Sequence, residues 1–427
     1  DYIEHVVYWH HAKPIRKQEY IKVNDVHRKL KNVYKDSGLQ ALVEHSKKQL
    51  LQVADIYESY PKKIVMADLA SCKVAFSDDV ISEFRKLDLP EYKQYELEEE
   101  FDDYLKDINF NAKANILRAC VISADRQISA LSAEQLNDYI VTGSLDSLVE
   151  KTLSQDSNLI QQIHDCINGF TIKYPNSKRN DEQAKAAEGL CSVESVGILN
   201  GPAGCGKTKI ALEWAKLTEA KKIIWVCPRI QVCEGLYQDL TSDEYLPNAR
   251  IEICTGEFKF INNNGIKEPT AQGSEFSGDI ILTTIDQIIN SITTHTNVTA
   301  LVDFLNCHVV FDEYHEYIAM PAFNLLFAEL VQAKKLLAEQ ASTLLVSATP
   351  NYSFVDRVLT IQTDDIVNIR SFNNSLYRIN FQLFDEESLE TNPLFISQPK
   401  NTIVISNTAT TAQQAFIRNQ ADENAIV

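Results

Sequence analysis

A chain of 427 residues, 44% hydrophobic and 23% charged, has the composition of a globular protein with room for roughly three domains, each able to bury its own core. No apolar run approaches the ~20 residues needed to cross a bilayer, so the sequence implies no membrane partner; nine cysteines without a CxxC pair or regular spacing read as thiols of a reducing cytoplasm. The net charge of −18 weighs against a partner made of phosphates, but much of it lies in 91-EYKQYELEEEFDDYLKD-107, which reads as a solvated helix face or an acidic docking surface and leaves basic grooves open elsewhere.

The chain opens at Asp1 without an initiator Met or a signal peptide and stops at 425-AIV-427, just after a strand and a helix have begun a new unit, so it reads as a piece of a longer protein. Up to about residue 130 it is helical: 41-ALVEHSKKQLLQVADIYESY-60 and 112-AKANILRACVISADRQISAL-131 carry apolar residues at helical spacing. Polar and helical stretches alternate up to 174-YPNSKRN-180, whose Pro, Asn and Ser predict a loop or linker. The pattern then changes to short β-branched runs separated by helices: 196-VGILN-200, 222-KIIWVC-227, 250-RIEIC-254, 279-DIILTT-284, 308-HVVFDE-313 and 343-TLLVSA-348. That alternation predicts a parallel sheet covered on both faces. A last pair, 402-TIVISN-407 and 409-ATTAQQAFIRNQ-420, predicts the first strand and helix of a second such sheet.

Between a predicted strand and a predicted helix, 196-VGILNGPAGCGKTKIALEWA-215 fits G-x-x-x-x-G-K-[ST], the phosphate-cradling loop. Gly201, Gly204 and Gly206 let the backbone wrap the β-phosphate of ATP, Lys207 reaches the β- and γ-phosphates, and Thr208 holds Mg²⁺. The segment 309-VVFDEYHEY-317 supplies the second carboxylate such a site needs. Asp312 binds Mg²⁺ through water, Glu313 polarises the attacking water, and His315 completes the DExH string. Upstream, Gln183 in 177-SKRNDEQ-183 either reads the adenine edge or is merely solvated. Downstream, Ser347 and Thr349 of 347-SATP-350 either hydrogen-bond the carboxylates of the DEYH segment, sensing the γ-phosphate, or form a plain strand-end turn.

Together these residues resemble superfamily 2 helicases of the DExH kind over roughly residues 177 to 420. The resemblance implies that Arg229 in 228-PRIQVCEGL-236, Thr255 in 255-TGE-257, and Thr283 and Thr284 in 283-TTIDQ-287 contact a DNA backbone. It also implies that 402-TIVISNT-408 opens a second motor domain. The arginine finger of the family would follow residue 427, so these residues alone are expected to hydrolyse ATP poorly.

At the front, adjacent His10 and His11 in 3-IEHVVYWHHAK-13 are either two metal ligands or a half-buried surface pair. Asp125, on the largely apolar 116-ILRACVISADRQISALS-132, calls for a cation or an Arg partner. A double histidine followed by an A-D-R-x-x-S helix resembles the later half of the HD-type nuclease domain that precedes the helicase in CRISPR-associated helicase–nucleases of type I systems. The strings 123-SADRQIS-129, 174-YPNSKRNDEQ-183, 283-TTIDQ-287 and 311-FDEYHEY-317 look nearest to subtype I-F. That resemblance implies divalent transition metal ions on His10, His11 and Asp125, the family's earlier His and His-Asp ligands lying before Asp1. A further His-Asp pair, in 163-IHDCI-167, comes too late in the chain to serve.

The expected organisation is multidomain: residues 1–135 as the C-terminal part of an all-α HD-type nuclease domain, 136–176 as connecting helices, 177–352 as an α/β RecA-like helicase domain 1, and 353–427 as the truncated start of RecA-like domain 2. The resemblance implies a prokaryotic, cytoplasmic enzyme that pulls single-stranded DNA with ATP and cuts it at a metal site. Its recruiter would be an RNA-guided surveillance complex, and in subtype I-F relatives a fused adaptation domain contacts the spacer integrase. Two other readings stay open: a stand-alone DExH helicase on RNA or DNA with a helical accessory domain, and a non-catalytic scaffold that uses nucleotide as a switch.

Overall fold

The computed structural model describes residues 100–144, 157–193, 195–270, 275–293, 298–319, 321–337, 342–362, 365–373, 391–396 and 408–419, with isolated positions besides. They fall in two units, residues 1–372 and 373–427. His10 and His11 lie outside the described residues.

Among the described residues of the first unit nine strands form one sheet: β1 (Val196–Asn200), β2 (Ile223–Cys227), β3 (Ile251–Cys254), β4 (Lys259–Asn263), β5 (Ile266–Pro269), β6 (Ile280–Thr284), β7 (His308–Phe311), β8 (Thr343–Ser347) and β9 (Ile366–Asn368). Their spatial order is β5-β4-β3-β6-β2-β7-β8-β1-β9. From β3 to β9 all neighbours are parallel. Period-two alternation divides the side chains between two cores. Val196, Ile198, Ile224, Val226, Val309, Phe311 and Leu345 enter one, and Leu199, Ile223, Trp225, Val310, Leu344 and Val346 the other. Because both faces are covered, these strands read as continuous apolar runs rather than as half-polar ones.

Four helices cover the second face: Leu159–Lys173, Lys178–Cys191, Lys207–Leu217 and Ile230–Leu240. Leu159, Ile163, Cys166 and Ile167 are buried there, so the helix expected among the connecting helices of 136–176 is part of the sheet's covering layer. The boundary at 353 also falls inside this unit. Ile198, Leu199 and Asn200 pair with Ile366, Val367 and Asn368, which adds β9 to the first sheet and extends it to residue 372.

The first face carries the helix Phe101–Ser129, which the sequence assigns to the front domain. It buries Tyr104, Ile108, Asn111, Ala112, Asn115, Ala119 and Ile122, a three-and-four spacing that makes one continuous stripe. The stripe shares a core with Phe327, Leu330, Val331 and Ala333 of the helix Pro321–Leu337. Polar groups cross the same seam: Asn111 Nδ2 donates to Glu329 Oε1 at 2.7 Å, and Gln332 Nε2 to Asn109 Oδ1 at 2.9 Å. The helix bearing Asp125 is thus packed on the α/β unit along its first six turns. Ahead of the stripe, Asp102 and Asp103 are exposed; residues 91–99 of the acidic run lie outside the described residues.

One edge departs from the expected all-parallel sheet. Strands β4 and β5 form an antiparallel hairpin on β3, turned by Asn264 and Gly265 with φ of 50° and 81°. Two positive φ angles in a two-residue loop are the twist-matched hairpin turn that Asn-Gly favours.

The second unit contains the helix Ala409–Asn419, started by Thr408, whose Oγ1 accepts from Thr411 N–H at 3.2 Å. Arg418 sits 4.3 Å from the Phe395 ring centroid. The described residues of 402–407 are Ile403, Ile405 and Ser406, and they are not in a strand.

Candidate nucleotide site

The loop between β1 and the helix Lys207–Leu217 is a glycine-dependent hollow. Gly206 caps the helix at φ 89°, a left-handed conformation that L side chains avoid; a Cβ there would run into the amide of Gln183. At Gly201 a Cβ would lie 2.6 Å from Ile369 Cγ2 and 2.7 Å from Cys205 Sγ. Gly204 is also left-handed, at φ 79°. The first-turn N–H groups of the helix have no partners within it and are the donors that a phosphate on this loop would meet.

Gln183 is buried beside this loop, 2% exposed, and its Nε2 donates to the Cys205 carbonyl at 2.7 Å. It is therefore not a merely solvated glutamine. Arg179 adds a second brace: Nη2 donates to the Gly204 carbonyl at 2.9 Å, and the guanidinium lies 5.4 Å from the Phe372 ring centroid. Neither Arg179 nor Phe372 stands out in the sequence, because an Arg on a polar helix and a Phe far downstream are each commonplace.

Across the hollow, Lys207 and Glu313 form an ion pair through Nζ and Oε1. Asp312 continues β7: its N–H donates to the Val226 carbonyl at 2.9 Å. Burial, then the charge of Glu313, raises its carboxyl to about 6, with Lys207 pulling the other way. The next residue, Glu313, takes φ 44°, a left-handed turn that costs a non-glycine residue roughly 1–3 kcal/mol and persists only where its surroundings hold it. The Ala348 N–H, 3.2 Å from Glu313 Oε2, is one such hold. Tyr314 N–H, donating to the Val346 carbonyl at 3.2 Å, is another. Below, Tyr317 Oη donates to the Val226 and Asp312 carbonyls at 3.0 and 3.2 Å.

The 347-SATP-350 segment meets this group differently from the expected hydroxyl–carboxylate contact. Ser347 Oγ lies 2.8 Å from His315 Nδ1, and the carboxylate is reached by the Ala348 main chain. His315 Nδ1 is in turn 3.4 Å from Glu313 Oε2. Thr349 contributes its N–H, which donates to Ser347 Oγ at 2.9 Å, while the Ser347 carbonyl accepts from Gly201 N–H at 3.0 Å. One strand end thus touches both the phosphate loop and the DEYH turn.

Arg229, at the N-cap of Ile230–Leu240, is 68% exposed and paired with Glu316, Nη2 to Oε2 at 3.0 Å. Thr255, Thr283 and Thr284 are buried. Thr255 Oγ1 accepts from the N–H groups of Glu257 and Phe258 at 3.3 and 3.0 Å, and Thr283 Oγ1 donates to the Cys254 carbonyl at 2.7 Å. A direct hydroxyl contact from these two to a phosphate would have to displace that packing.

Asp125 lies on the Phe101–Ser129 helix, half-buried. Among the described residues no group of three or more His, Cys, Asp or Glu side chains gathers as a metal centre. His164 and Asp165 contact each other at 3.4 Å on an exposed helix face.

ATP with Mg²⁺ fits what is present: a loop whose Gly201 and Gly206 leave no room for a Cβ, a lysine ammonium beside it, and a buried carboxyl whose charged form a divalent cation would favour. Residues 157–352 match the family described as Type III restriction enzyme, res subunit. Fold, site and family match describe this unit as an α/β, RecA-like domain carrying a nucleotide-binding loop. The chain is similar to Cas3 of T. fusca, with 18% identity, 58% of this chain and 32% of that one covered, and a TM-score of 0.38. It is also similar to the DUF1998 helicase MrfA bound to DNA, at 17%, 53%, 34% and 0.35. The Sulfolobus solfataricus SWI2/SNF2 ATPase core in complex with dsDNA follows at 16%, 42%, 34% and 0.28. The chain spans about a third of the length of these solved structures. No curated protein shows a sequence match. No helix among the described residues is long and apolar enough to cross a membrane.

Proposed function

We propose that the protein is an ATP-driven translocase or helicase on single-stranded DNA, coupled to a metal-dependent DNA nuclease, and that it degrades foreign DNA in CRISPR interference after recruitment by an RNA-guided surveillance complex. The observation that carries the motor is the convergence of Lys207, of Glu313 and His315, and of Ser347, from three separate segments, beside the glycine loop.

The bound nucleotide supplies a γ-phosphoryl group whose transfer to water releases free energy, with Mg²⁺ neutralising charge on the oxygens. The protein's share follows from its own groups. The main chain of 201–206 and the Lys207 ammonium would hold the phosphates, and Thr208 and Asp312 would hold the cation. Glu313, once Lys207 has turned to phosphate, is a free carboxylate able to accept a proton from water. His315 and Ser347 carry the change to β8. Gln183 reads the adenine in this account. Arg229 contacts the DNA backbone, with 255–257 and 283–287 contributing main-chain contacts.

The nuclease and subtype I-F parts rest on the resemblance of 123-SADRQIS-129 and the His10–His11 pair, which together with Asp125 would be metal ligands. The test supplies the complete protein with circular single-stranded DNA, Mn²⁺ and ATP, separately and together. Cleavage that needs only metal, with ATP required for duplex degradation, is the expected result. Metal-dependent cleavage surviving unchanged in His10→Ala, His11→Ala and Asp125→Ala variants would leave the motor alone.

A further inference from the structure

We infer that Glu316 is an internal stand-in for a DNA phosphate: it holds the Arg229 guanidinium until nucleic acid displaces it, and so links strand binding to the ATPase turn. The inference rests on the reading of Arg229 as a DNA-backbone contact and adds a competitor for it.

Arg229 presents Nε and Nη2 together to one carboxylate oxygen, Glu316 Oε2, at 3.2 and 3.0 Å. A fork of two N–H donors on an oxyanion is also how guanidinium groups take phosphate. The arginine is fixed at its base, its carbonyl accepting from Val232 and Cys233 N–H at 3.1 and 3.2 Å as the helix Ile230–Leu240 begins. The guanidinium thus belongs to the residue that caps a helix N-terminus, an end whose dipole favours an anion. The head of Arg229 remains open to solvent at 68%, whereas Glu316 is 27% exposed. An incoming phosphate can thus reach the guanidinium without first removing anything but Glu316.

Glu316 is not an arbitrary surface acid. Its N–H donates to the Glu313 carbonyl at 3.0 Å, and it belongs to the short helix His315–Ile318 that begins with the imidazole bonded to Ser347. While the pair is closed, Arg229 on one strand end is tied to the turn that holds Glu313. When phosphate takes Arg229, that tie is released, and the turn carrying Glu313 and His315 is biased by the strand's presence. In this role Glu316 is a positioning residue, since it touches neither nucleotide nor DNA.

The test is a double-mutant cycle in the complete protein, read as affinity for a fluorescein-labelled oligothymidine strand over a salt series. Glu316→Gln keeps the shape and removes the competing charge, so binding should tighten roughly two- to fivefold, the range of a solvent-exposed ion pair. Arg229→Ala should weaken binding and lower the salt slope by about 1. In the Arg229→Ala background, Glu316→Gln should have no effect. The strand concentration giving half-maximal ATP turnover should fall in Glu316→Gln along with the dissociation constant. If Glu316→Gln tightens binding equally with and without Arg229, simple charge removal explains it and the stand-in role is overturned while the DNA contact stands. If Arg229→Ala leaves affinity and salt slope unchanged, both the inference and the reading it rests on fall.

Discussion

The Lys207 ammonium and the Glu313 carboxylate, 106 residues apart in sequence, are paired across the glycine loop. The pair joins the group that the proposed function assigns to phosphate with the group it assigns to water. Glu313→Gln removes the proton acceptor and the competitor at once. ATP turnover should fall by about 10²-fold or more, while ATP affinity, measured by calorimetry, stays equal or tightens. Loss of affinity together with turnover would show that Glu313 serves binding rather than catalysis.

Asp312 makes the cation site pH-dependent. Its carboxyl, raised to about 6 from an ordinary 3.8, must be ionised to serve Mg²⁺, so affinity falls as pH drops below about 6, approaching tenfold per unit. The stability linkage has the opposite sign: between 3.8 and 6 the folded site keeps a proton the unfolded chain has lost, so stability declines as pH rises through that window. The nucleotide titrates nearby, and the measurement is therefore the difference between the wild type and Asp312→Asn in Mg²⁺-dependent ATP-analogue binding from pH 5 to 8. A difference that is flat across that range would contradict the role of Asp312.

Ser347 joins the imidazole of His315 through Oγ and the phosphate loop through its carbonyl. Ser347→Ala keeps the second link and cuts the first. Stimulation of ATP turnover by single-stranded DNA should drop roughly five- to tenfold, the scale of a modest coupling energy, with the ATP dissociation constant changed by less than about twofold. Equal losses in stimulated and unstimulated turnover would assign the hydroxyl to chemistry rather than to coupling.

Glu329 sits fully buried between the helices Phe101–Ser129 and Pro321–Leu337. Burial pushes its carboxyl up to about 8, against the pull of Asn111 and Arg118; Asp107 adds to the rise. Only Oε1 is hydrogen-bonded, to Asn111. The folded protein keeps this proton while the unfolded chain loses it above about 4.5, so stability falls as pH rises from about 4.5 to about 8. Glu329→Gln, neutral at every pH, should flatten that decline and raise the melting temperature at pH 8 by a few degrees. A variant that melts below the wild type at pH 8 would contradict the neutral-carboxyl account.

The candidate nucleotide site was legible because its residues are local in sequence. The loop from Gly201 to Thr208 and the Asp312–Glu313 pair each sit at a strand end, where side-chain type and backbone turn are specified together. The hairpin 259–269 was marked by Asn264-Gly265 between β-prone residues, a signal that the strand–helix alternation around it obscured. What was not legible depends on distant partners. The Phe101–Ser129 stripe looks like any amphipathic helix until Phe327 and Leu330 face it, and the three residues of β9 are too few to carry a pattern of their own. Glu316 reads as one more acid after DEYH until Arg229, 87 positions away, closes on it.

The measurement that bears most directly on the account is ATP turnover by the complete protein with and without single-stranded DNA, in the wild type, Lys207→Ala and Glu313→Gln. Turnover that rises with DNA in the wild type and is lost in both variants is the predicted result. Turnover that persists in Glu313→Gln, or that ignores DNA in the wild type, would contradict a nucleic-acid motor built on the Lys207–Glu313 site.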